Sequence, residues 1–253
     1  MTSGAVVLTV SPGSFPGLAE QLRRLPVEVE ELPLLTFAAP EDWEPVDRAL
    51  RDLSRYDALA FTSPRAASAF IERHRTIAAA PGNALPPLWS GGRGTAGALV
   101  PLLAPVYGAP EAEAGRVGAA AALAAAMLEA GVAGPVLFPC GEIRRDELPT
   151  RLRHEGIEVD EVVCYRSVLA GEPAARAAAE HAAIVVVASP SVAELLARAS
   201  PPAGRPRMLA VGPTTAAAAR ASGWPPAAVA DRPDVEAMLA GVRSLLAGHS
   251  ATR

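Results

Sequence analysis

Two stretches decide the fold of this chain: Ala58-Leu-Ala-Phe-Thr-Ser-Pro-Arg65 and Ile184-Val-Val-Val-Ala-Ser-Pro-Ser191. Each is an apolar run, typical of a buried parallel strand, that ends in Ser-Pro just before a helix-forming segment. A second pattern, Gly-x-x-Thr-Ala, follows each of them along the chain, at Gly92 to Ala96 and again at Gly212 to Ala216. Two patterns repeated in the same order predict two similar α/β halves.

Apolar strand patterns alternate with helical segments along the chain, which predicts mainly parallel sheets covered by helices on both faces. Two alternating, acid-rich segments bracket the middle of the sequence. We therefore expect two similar three-layer α/β domains joined by a two-stranded β linker. Residues 1–35 and 168–253 would form domain 1, residues 36–156 an inserted domain 2, and connectors at about 27–38 and 157–169 the hinge.

Three local expectations follow from the same patterns. Residues 27–35 alternate and become more apolar, which favours one connecting strand, and Pro33 makes a central strand unfavourable there. Residues 110–127 are expected to be a loop followed by one long Ala-rich helix, and residues 140–144 a loop. Short strands and helices fill the rest of the chain.

Composition excludes several classes of protein. The net charge of −4 and the 4% aromatic content argue against a nucleic-acid partner. No apolar run approaches the roughly 20 residues that cross a bilayer, and the first ten residues lack the basic segment and long apolar core of a signal peptide. We therefore expect a cytoplasmic protein without a nucleic-acid or membrane partner.

The chain contains no lysine, since all 23 of its basic residues are arginine. Schiff-base enzymes, pyridoxal phosphate enzymes and Walker-type phosphate loops all need a lysine and are excluded. No metal is predicted, because the histidines lack metal-ligand spacing and the cysteines lack a Cys-x-x-Cys motif. These residues are His74, His154, His181 and His249, with Cys140 and Cys164 interpreted as buried structural thiols.

Small hydroxyl residues stand at the points where predicted strands give way to helices. Any one of them alone is explained by N-capping. Because helix N-termini also bind anions through backbone N–H groups, the whole set indicates an anionic ligand. The set is Ser63, Thr95, Ser189, Ser191, Thr214 and Thr215.

Arginines follow the same turns, at Arg65, at Arg93 and at the Arg144-Arg145 pair. A solvated side chain is the ordinary explanation for each. Their position at strand ends also suits bidentate binding of carboxylate or phosphate.

Tyr165 is one of only three tyrosines and lies in the second connector. We expect it to face the space between the domains, where it would either pack against the hinge or act chemically. A phenol is protonated at pH 7, so it can donate a proton to a departing hydroxyl if the substrate has one.

Taken together, six motifs resemble the uroporphyrinogen-III synthase family over nearly the whole chain. They are Phe61-Thr-Ser-Pro-Arg-Ala66, Gly92-x-x-Thr95-Ala96, Cys140-Gly-Glu-Ile-Arg-Arg-Asp-Glu-Leu-Pro149, Val163-Cys-Tyr-Arg166, Ala188-Ser-Pro-Ser191 and Val211-Gly-Pro-Thr-Thr-Ala216. Each motif is short, and their shared order makes the resemblance specific.

The resemblance implies a cofactor-free lyase of tetrapyrrole (haem, sirohaem and cobalamin) biosynthesis. Such an enzyme cyclises hydroxymethylbilane to uroporphyrinogen III with inversion of ring D and loss of water. It also implies a monomer, with transient hand-over of substrate from hydroxymethylbilane synthase. Tyr165 becomes the candidate proton donor, and the candidate substrate-binding residues are Ser63, Arg65, Gly92, Thr95, Gly141, Ser189 and Thr215, with Ser191 and Thr214 beside them.

Two alternatives remain open. A non-catalytic, tetrapyrrole-binding regulatory relative would keep the whole site and lose turnover. A two-domain α/β protein that binds a phosphorylated ligand would use Arg65 and the helix N-termini equally well.

Overall fold

A computed structural model describes residues 5–77 and 85–250, with the backbone alone at positions 112, 116, 249 and 250. The first stretch contains β1 (Ala5–Leu8), α1 (Leu18–Leu22), β2 (Val29–Glu31) and β3 (Leu35–Ala38). The middle contains α2 (Glu44–Arg51), a 3-10 turn (Leu53–Arg55), β4 (Ala58–Phe61), α3 (Pro64–Ile77), β5 (Leu88–Ser90), α4 (Arg93–Leu99), a 3-10 turn (Val100–Leu102), β6 (Val106–Gly108), α5 (Glu111–Val117), α6 (Ala119–Glu129), β7 (Val136–Gly141), α7 (Glu147–His154) and β8 (Val159–Leu169). The last contains α8 (Glu172–Glu180), β9 (Ala182–Val187), α9 (Pro190–Ala199), β10 (Arg207–Val211), α10 (Pro213–Ala221), β11 (Ala228–Ala230) and α11 (Val235–Ser250).

The strands form a five-stranded sheet in the order β11-β10-β9-β1-β2 and a six-stranded sheet in the order β3-β8-β7-β4-β5-β6. Parallel ladders join β1 to β2 and β9, and β10 to β9 and β11. Parallel ladders also join β4 to β5 and β7, β5 to β6, and β7 to β8. The predicted α/β class with mainly parallel sheets is confirmed.

The chain divides into two compact units. The first unit is Met1–Phe37 with Val168–Arg253, and the second unit is Ala38–Ser167. The chain passes from one unit to the other twice, within β3 and within β8, which are neighbours in the six-stranded sheet. These two strands are the two-stranded linker of the predicted fold class.

The sheet of the first unit is buried on both faces. Val185 and Val187 of β9 pack with helices α8 and α9, whereas Ile184 and Val186 of the same strand pack with α1 and α11. Successive side chains of a strand point to opposite faces, so a strand covered on both sides must be apolar at every position. This arrangement explains the continuous apolar run that the sequence shows there.

The sheet of the second unit is covered in the same way. Leu59 and Phe61 of β4 pack with α2 and α3, and Ala58 and Ala60 pack with α6 and α7. Each unit is therefore a three-layer sandwich with the carboxyl ends of its parallel strands along one edge of the sheet.

The expectation of one connecting strand over residues 27–35 is wrong. Val29–Glu31 forms β2, which pairs with β1 in the sheet of the first unit, and the linker strand starts only at Leu35. Pro33 lies between the two strands, where its missing N–H breaks no ladder. The alternating pattern indicated a strand but did not show that the chain bends within it.

Two short strands and a helix break were also missed. Strands β6 and β11 have three residues each and lie at sheet edges beside prolines, so they are too short for a periodic signal. The Ala-rich region is two helices, α5 and α6, separated at Gly118, whose φ of 94° lies in the left-handed region. Within residues 5–77 and 85–250, no helix has the length and apolar character needed to span a bilayer.

Candidate active site

The carboxyl edge of the second unit's sheet brings together four residues that the sequence singled out. Ser63 and Arg65 follow β4, Gly141 ends β7, and Tyr165 lies in β8. Because β4, β7 and β8 are parallel neighbours, their carboxyl ends reach the same edge. The Ser63 and Tyr165 hydroxyl oxygens are 3.4 Å apart.

Local structure holds Ser63 and Arg65 at this edge. Ser63 caps α3, since the Ala66 N–H donates to the Ser63 hydroxyl over 3.3 Å, and Pro64 occupies the first helical position where no N–H is needed. The Arg65 guanidinium carbon lies 6.0 Å from the centre of the Tyr165 ring. Burial lowers the pKa of Arg65, with the nearby Tyr165 opposing, yet a guanidinium remains charged at neutral pH.

Gly141 is placed differently from the sequence-based expectation. The expected loop over residues 140–144 is wrong at its start, because Cys140 and Gly141 are the last two residues of β7. Gly141 pairs with Tyr165 across a register shift between Cys140 and Gly141, and the Glu142 N–H donates to the Tyr165 carbonyl over 2.9 Å. A Cβ atom added at Gly141 would lie 2.6 Å from the Tyr165 Cζ. The Tyr165 ring therefore lies against the bare backbone of Gly141.

Gly92 and Thr95 lie at the start of α4, after β5. Ser90 organises this turn, since its hydroxyl donates to the Gly92 carbonyl over 2.9 Å and accepts from the Gly92 N–H over 3.3 Å. Sequence reasoning missed Ser90, although a hydroxyl directly before a Gly-Gly turn was the available signal. Thr95 is 4% exposed, so its side chain offers little surface to a ligand. Binding roles for Gly92 and Thr95 stay predictions.

Two of the arginines at strand ends are already paired with carboxylates. Arg93 forms an exposed ion pair with Glu111. Arg144 donates to Glu161 over 2.5 Å, and Arg153 contacts the same carboxylate at 2.8 Å. Burial favours the neutral form of Glu161, but these hydrogen bonds outweigh it and hold its pKa below the ordinary value. Arg93 and Arg144 are thus less available to a ligand than the sequence indicated.

In the first unit, the turn at the carboxyl end of β9 carries neutral side chains. Ser189 occupies the N-cap position of α9, yet its side chain makes no capping bond and lies 2.9 Å from the Ser191 hydroxyl. Both hydroxyls are half-buried at the carboxyl end of β9. Since capping does not occupy the Ser189 hydroxyl, it remains suited to a ligand oxygen.

Ser189 also lines a pocket of about 310 Å³ within the first unit. Its other walls are Thr9, Val10, Ser11, Ser14, Phe15, Leu35, Phe37, Ala188, Pro190 and Val192. Phe15 and Phe37 are half-buried there and were not predicted as site residues. In a chain with 4% aromatic residues, a phenylalanine in the Ser-Pro-Gly-Ser-Phe turn after β1 was the available signal.

The two threonines at the start of α10 differ in accessibility. Thr214 is exposed, whereas Thr215 is 2% exposed. Gly212 before them has a φ of 82°, a left-handed conformation that favours glycine, and its N–H donates to the Ala230 carbonyl over 2.8 Å. Binding roles for both threonines stay predictions, and the geometry favours Thr214.

Both cysteines are free and buried. Burial raises the pKa of the Cys140 thiol to about 12 and raises that of Cys164 as well, so neither thiol is a nucleophile at neutral pH. In the part of the chain that the structure describes, no group of three His, Cys, Asp or Glu side chains is placed to hold a metal ion. The His249 side chain lies outside that part.

A phenol, a guanidinium and a hydroxyl therefore meet at one edge of the second unit. The guanidinium and hydroxyl can bind carboxylate oxygens, while the phenol can donate a proton to a leaving group. The first unit adds neutral donors beside a largely apolar pocket. Acid-base chemistry on an anionic, partly apolar substrate fits these groups.

Comparison with known proteins places this chain in a family. A family model described as uroporphyrinogen-III synthase HemD matches residues 17–240. A mutant uroporphyrinogen III synthase from the extremely thermophilic bacterium Thermus thermophilus has a similar structure, with a TM-score of 0.61 and 19% identity over 97% of this chain and 100% of that one. Uroporphyrinogen-III synthetase from Helicobacter pylori also has a similar structure, with a TM-score of 0.61 and 19% identity over 97% of this chain and 100% of that one. The solved structures share the fold, and the family match shows that this chain belongs to the uroporphyrinogen-III synthase family.

Proposed function

We propose that this member of the uroporphyrinogen-III synthase family is a cyclising hydro-lyase of tetrapyrrole biosynthesis. It closes hydroxymethylbilane to uroporphyrinogen III, inverting ring D and releasing water. The observation that carries the proposal is the family match over residues 17–240. The meeting of Tyr165, Ser63 and Arg65 at one sheet edge supports it.

In the proposed reaction, the Tyr165 phenol donates its proton to the terminal hydroxyl of the bilane. The carbon–oxygen bond breaks, water leaves and the terminal pyrrole, which keeps its N–H, becomes a protonated azafulvene. The substituted α-carbon of ring D attacks to give a spiro intermediate. The bond between that carbon and the methylene bridge to the preceding pyrrole then breaks, and the methylene bonds again to the free α-carbon of ring D. That carbon loses its hydrogen as a proton, which balances the proton that Tyr165 gave up.

Positioning is as important as proton transfer, because the bilane closes without help to the uninverted isomer. Holding its two ends in the spiro-forming geometry is an orientation effect, which in enzymes supplies several kcal/mol. The substrate bears eight carboxylates. In the second unit, some of these carboxylates would bind to Arg65, to Ser63 and to the start of α4. In the first unit, others would bind to Ser189, Ser191, Thr214 and Thr215.

The wider setting of the enzyme is also proposed. Loss of water with no change of oxidation state needs no redox cofactor. Because free hydroxymethylbilane closes to the wrong isomer, transient hand-over from hydroxymethylbilane synthase would shorten its exposure to water. We propose a monomer that works in the cytoplasm, and analytical ultracentrifugation checks the monomer.

Isomer analysis tests the activity. Freshly made hydroxymethylbilane is incubated with the purified protein, the product is oxidised to porphyrin, and isomers I and III are separated by chromatography. Isomer III is expected in excess, whereas heat-inactivated protein should give isomer I alone. Isomer I alone with folded protein would contradict the proposal and leave a binding role.

A further inference from the structure

One glycine of the site has an unusual neighbour. Gly141 ends β7 directly opposite Tyr165 of β8, and the Glu142 N–H holds the Tyr165 carbonyl at 2.9 Å. Both backbones are therefore fixed to each other at this point. The remaining freedom lies in the tyrosine side chain.

Space, and not backbone conformation, explains glycine at position 141. Gly141 is absent from the glycines with positive φ, so another residue could adopt its backbone geometry. A Cβ atom there would lie 2.6 Å from the Tyr165 Cζ, 2.8 Å from its hydroxyl oxygen and 3.0 Å from its Cε2. Gly97 of the same unit is a contrast, since a Cβ atom there would meet nothing within 4 Å.

Residues at the start of α3 also lie near the Tyr165 ring. The Ser63 hydroxyl lies 3.4 Å from the Tyr165 hydroxyl, and Ser63 is itself fixed as the cap of α3. Arg65 lies 6.0 Å from the ring centre. The absent side chain of residue 141 is thus what lets the phenol reach the position between β7 and the start of α3.

We propose that Gly141 is a positioning residue for the reaction, because its bare backbone sets the place of the Tyr165 hydroxyl. An alanine at position 141 would push the ring outward by roughly 1 Å before ordinary van der Waals contact is restored. A misplacement of that size at a reacting group costs up to about 100-fold in rate. The inference rests on the proposed function, in which Tyr165 is the proton donor.

The fold should tolerate the change. The atoms that an added Cβ would meet are the far end of one side chain, so the ring is expected to turn away while the sheet stays in place. For Gly141→Ala we therefore expect kcat to fall about 10- to 100-fold, with KM within about twofold and an unchanged melting temperature. Gly97→Ala is the matched control and should keep the wild-type kcat.

A double-mutant cycle separates positioning from a general structural effect. In the Tyr165→Phe background the ring is still displaced, but no hydroxyl is left to misplace. Gly141→Ala should therefore reduce kcat by less than about twofold in that background.

Each outcome decides the inference. A wild-type kcat for Gly141→Ala, an equal loss of kcat in both backgrounds, or a variant that fails to fold would each overturn it. A wild-type kcat for Tyr165→Phe alone would remove the proton donor and the positioning role together. Failure of the proposed function is distinguishable, because unsubstituted protein would then form no uroporphyrinogen III.

Discussion

The carboxyl edges of the two sheets carry the same Ser-Pro sequence pattern but differ in the side chains that follow it. In the second unit, Ser63-Pro-Arg65 places a guanidinium beside a phenol from β8. In the first unit, Ser189-Pro-Ser191 places a second hydroxyl at the equivalent position, 2.9 Å from the first. The repeat therefore sets where a ligand can be held, while single side chains decide whether a cation or a neutral donor holds it.

The interiors of the two units also differ in charge. Among the described residues, the buried polar side chains of the first unit are the hydroxyls of Thr9, Ser200 and Thr215. The second unit also buries a carboxylate, Asp47, which accepts two hydrogen bonds from Arg73 at 2.6 and 2.5 Å. Among the described residues, the buried carboxylate therefore lies in the unit that carries the candidate proton donor.

The largest expected effect is that of Tyr165→Phe, which removes the phenol from the edge of the second unit. General acid catalysis typically contributes about 10²- to 10⁴-fold, so kcat should fall by about 100-fold or more, with more isomer I appearing from unassisted closure. Steady-state rates with fresh hydroxymethylbilane measure it. Tyr107→Phe, at an exposed tyrosine of β6, is the control and should keep the wild-type kcat. A wild-type rate for Tyr165→Phe would remove the proton donor and the main difference between the edges.

Asp47→Asn tests the charged interior of the second unit. Removing one partner of a buried ion pair leaves Arg73 uncompensated, and since the Arg73 side chain is 26% exposed we expect about 2 kcal/mol of lost stability. Urea unfolding measures the change. Asp52→Asn, at an exposed position just after the same helix, should alter stability by less than about 0.5 kcal/mol. Equal effects of the two substitutions would contradict the assignment.

Arg65→Ser makes the edge of the second unit resemble that of the first. Losing a charged hydrogen-bond donor to a carboxylate should raise KM about tenfold. Ser189→Ala, in the first unit, removes a neutral donor and should raise KM only about threefold. Steady-state kinetics of the two variants give the ratio. A larger effect at Ser189 would reverse the proposed division of labour between the edges.

The smallest expected effect is a difference between the two units in how far acid lowers their stability. The hydrogen bonds from Arg73, opposed in part by burial, hold the pKa of Asp47 below its ordinary value. The contribution of this pair to stability is therefore complete above about pH 5 and is lost as the pH falls through the folded-state pKa. Glu161 of the same unit, whose pKa is also lowered, adds to the effect.

Tryptophan fluorescence can report each unit separately. The variants Trp43→Phe/Trp224→Phe and Trp43→Phe/Trp89→Phe leave Trp89 in the second unit and Trp224 in the first. Between about pH 6 and about pH 3.5, the range in which carboxylates titrate, the urea midpoint should fall further for the Trp89 signal than for the Trp224 signal. Identical shifts would mean that the units unfold together or that the ion pairs contribute equally to both.

Much of the fold was predictable because the relevant signals are local. The run Ile184 to Val187 is apolar at every position, since both faces of its strand are covered. Pro64 and Pro190 mark helix starts for the same local reason, their missing N–H. The edge strands β6 and β11, of three residues each and close to prolines, were not recognised.

The sequence predicted which strand ends carry the candidate site residues, but not which of these residues contact one another. Ser63, Arg65, Gly141 and Tyr165 were each singled out, yet nothing local indicates that Gly141 makes room for Tyr165. The sequence indicated that Arg144 is available to a ligand, whereas in the structure Arg144 donates to Glu161 of β8 over 2.5 Å. Such facts depend on residues far apart in the chain.

The amino-acid sequence by itself determined the parallel α/β class, the starts of the main helices and the family, because periodicity, capping residues and short motifs act within a few residues of one another. Only the tertiary structure decided that β7 carries Gly141 beneath the Tyr165 ring, that the Ser189 hydroxyl makes no capping bond to α9 and that Arg144 is paired with Glu161. The physical reason is that strand register and side-chain packing depend on the whole sheet, and a local pattern contains no information about which distant residue will lie opposite.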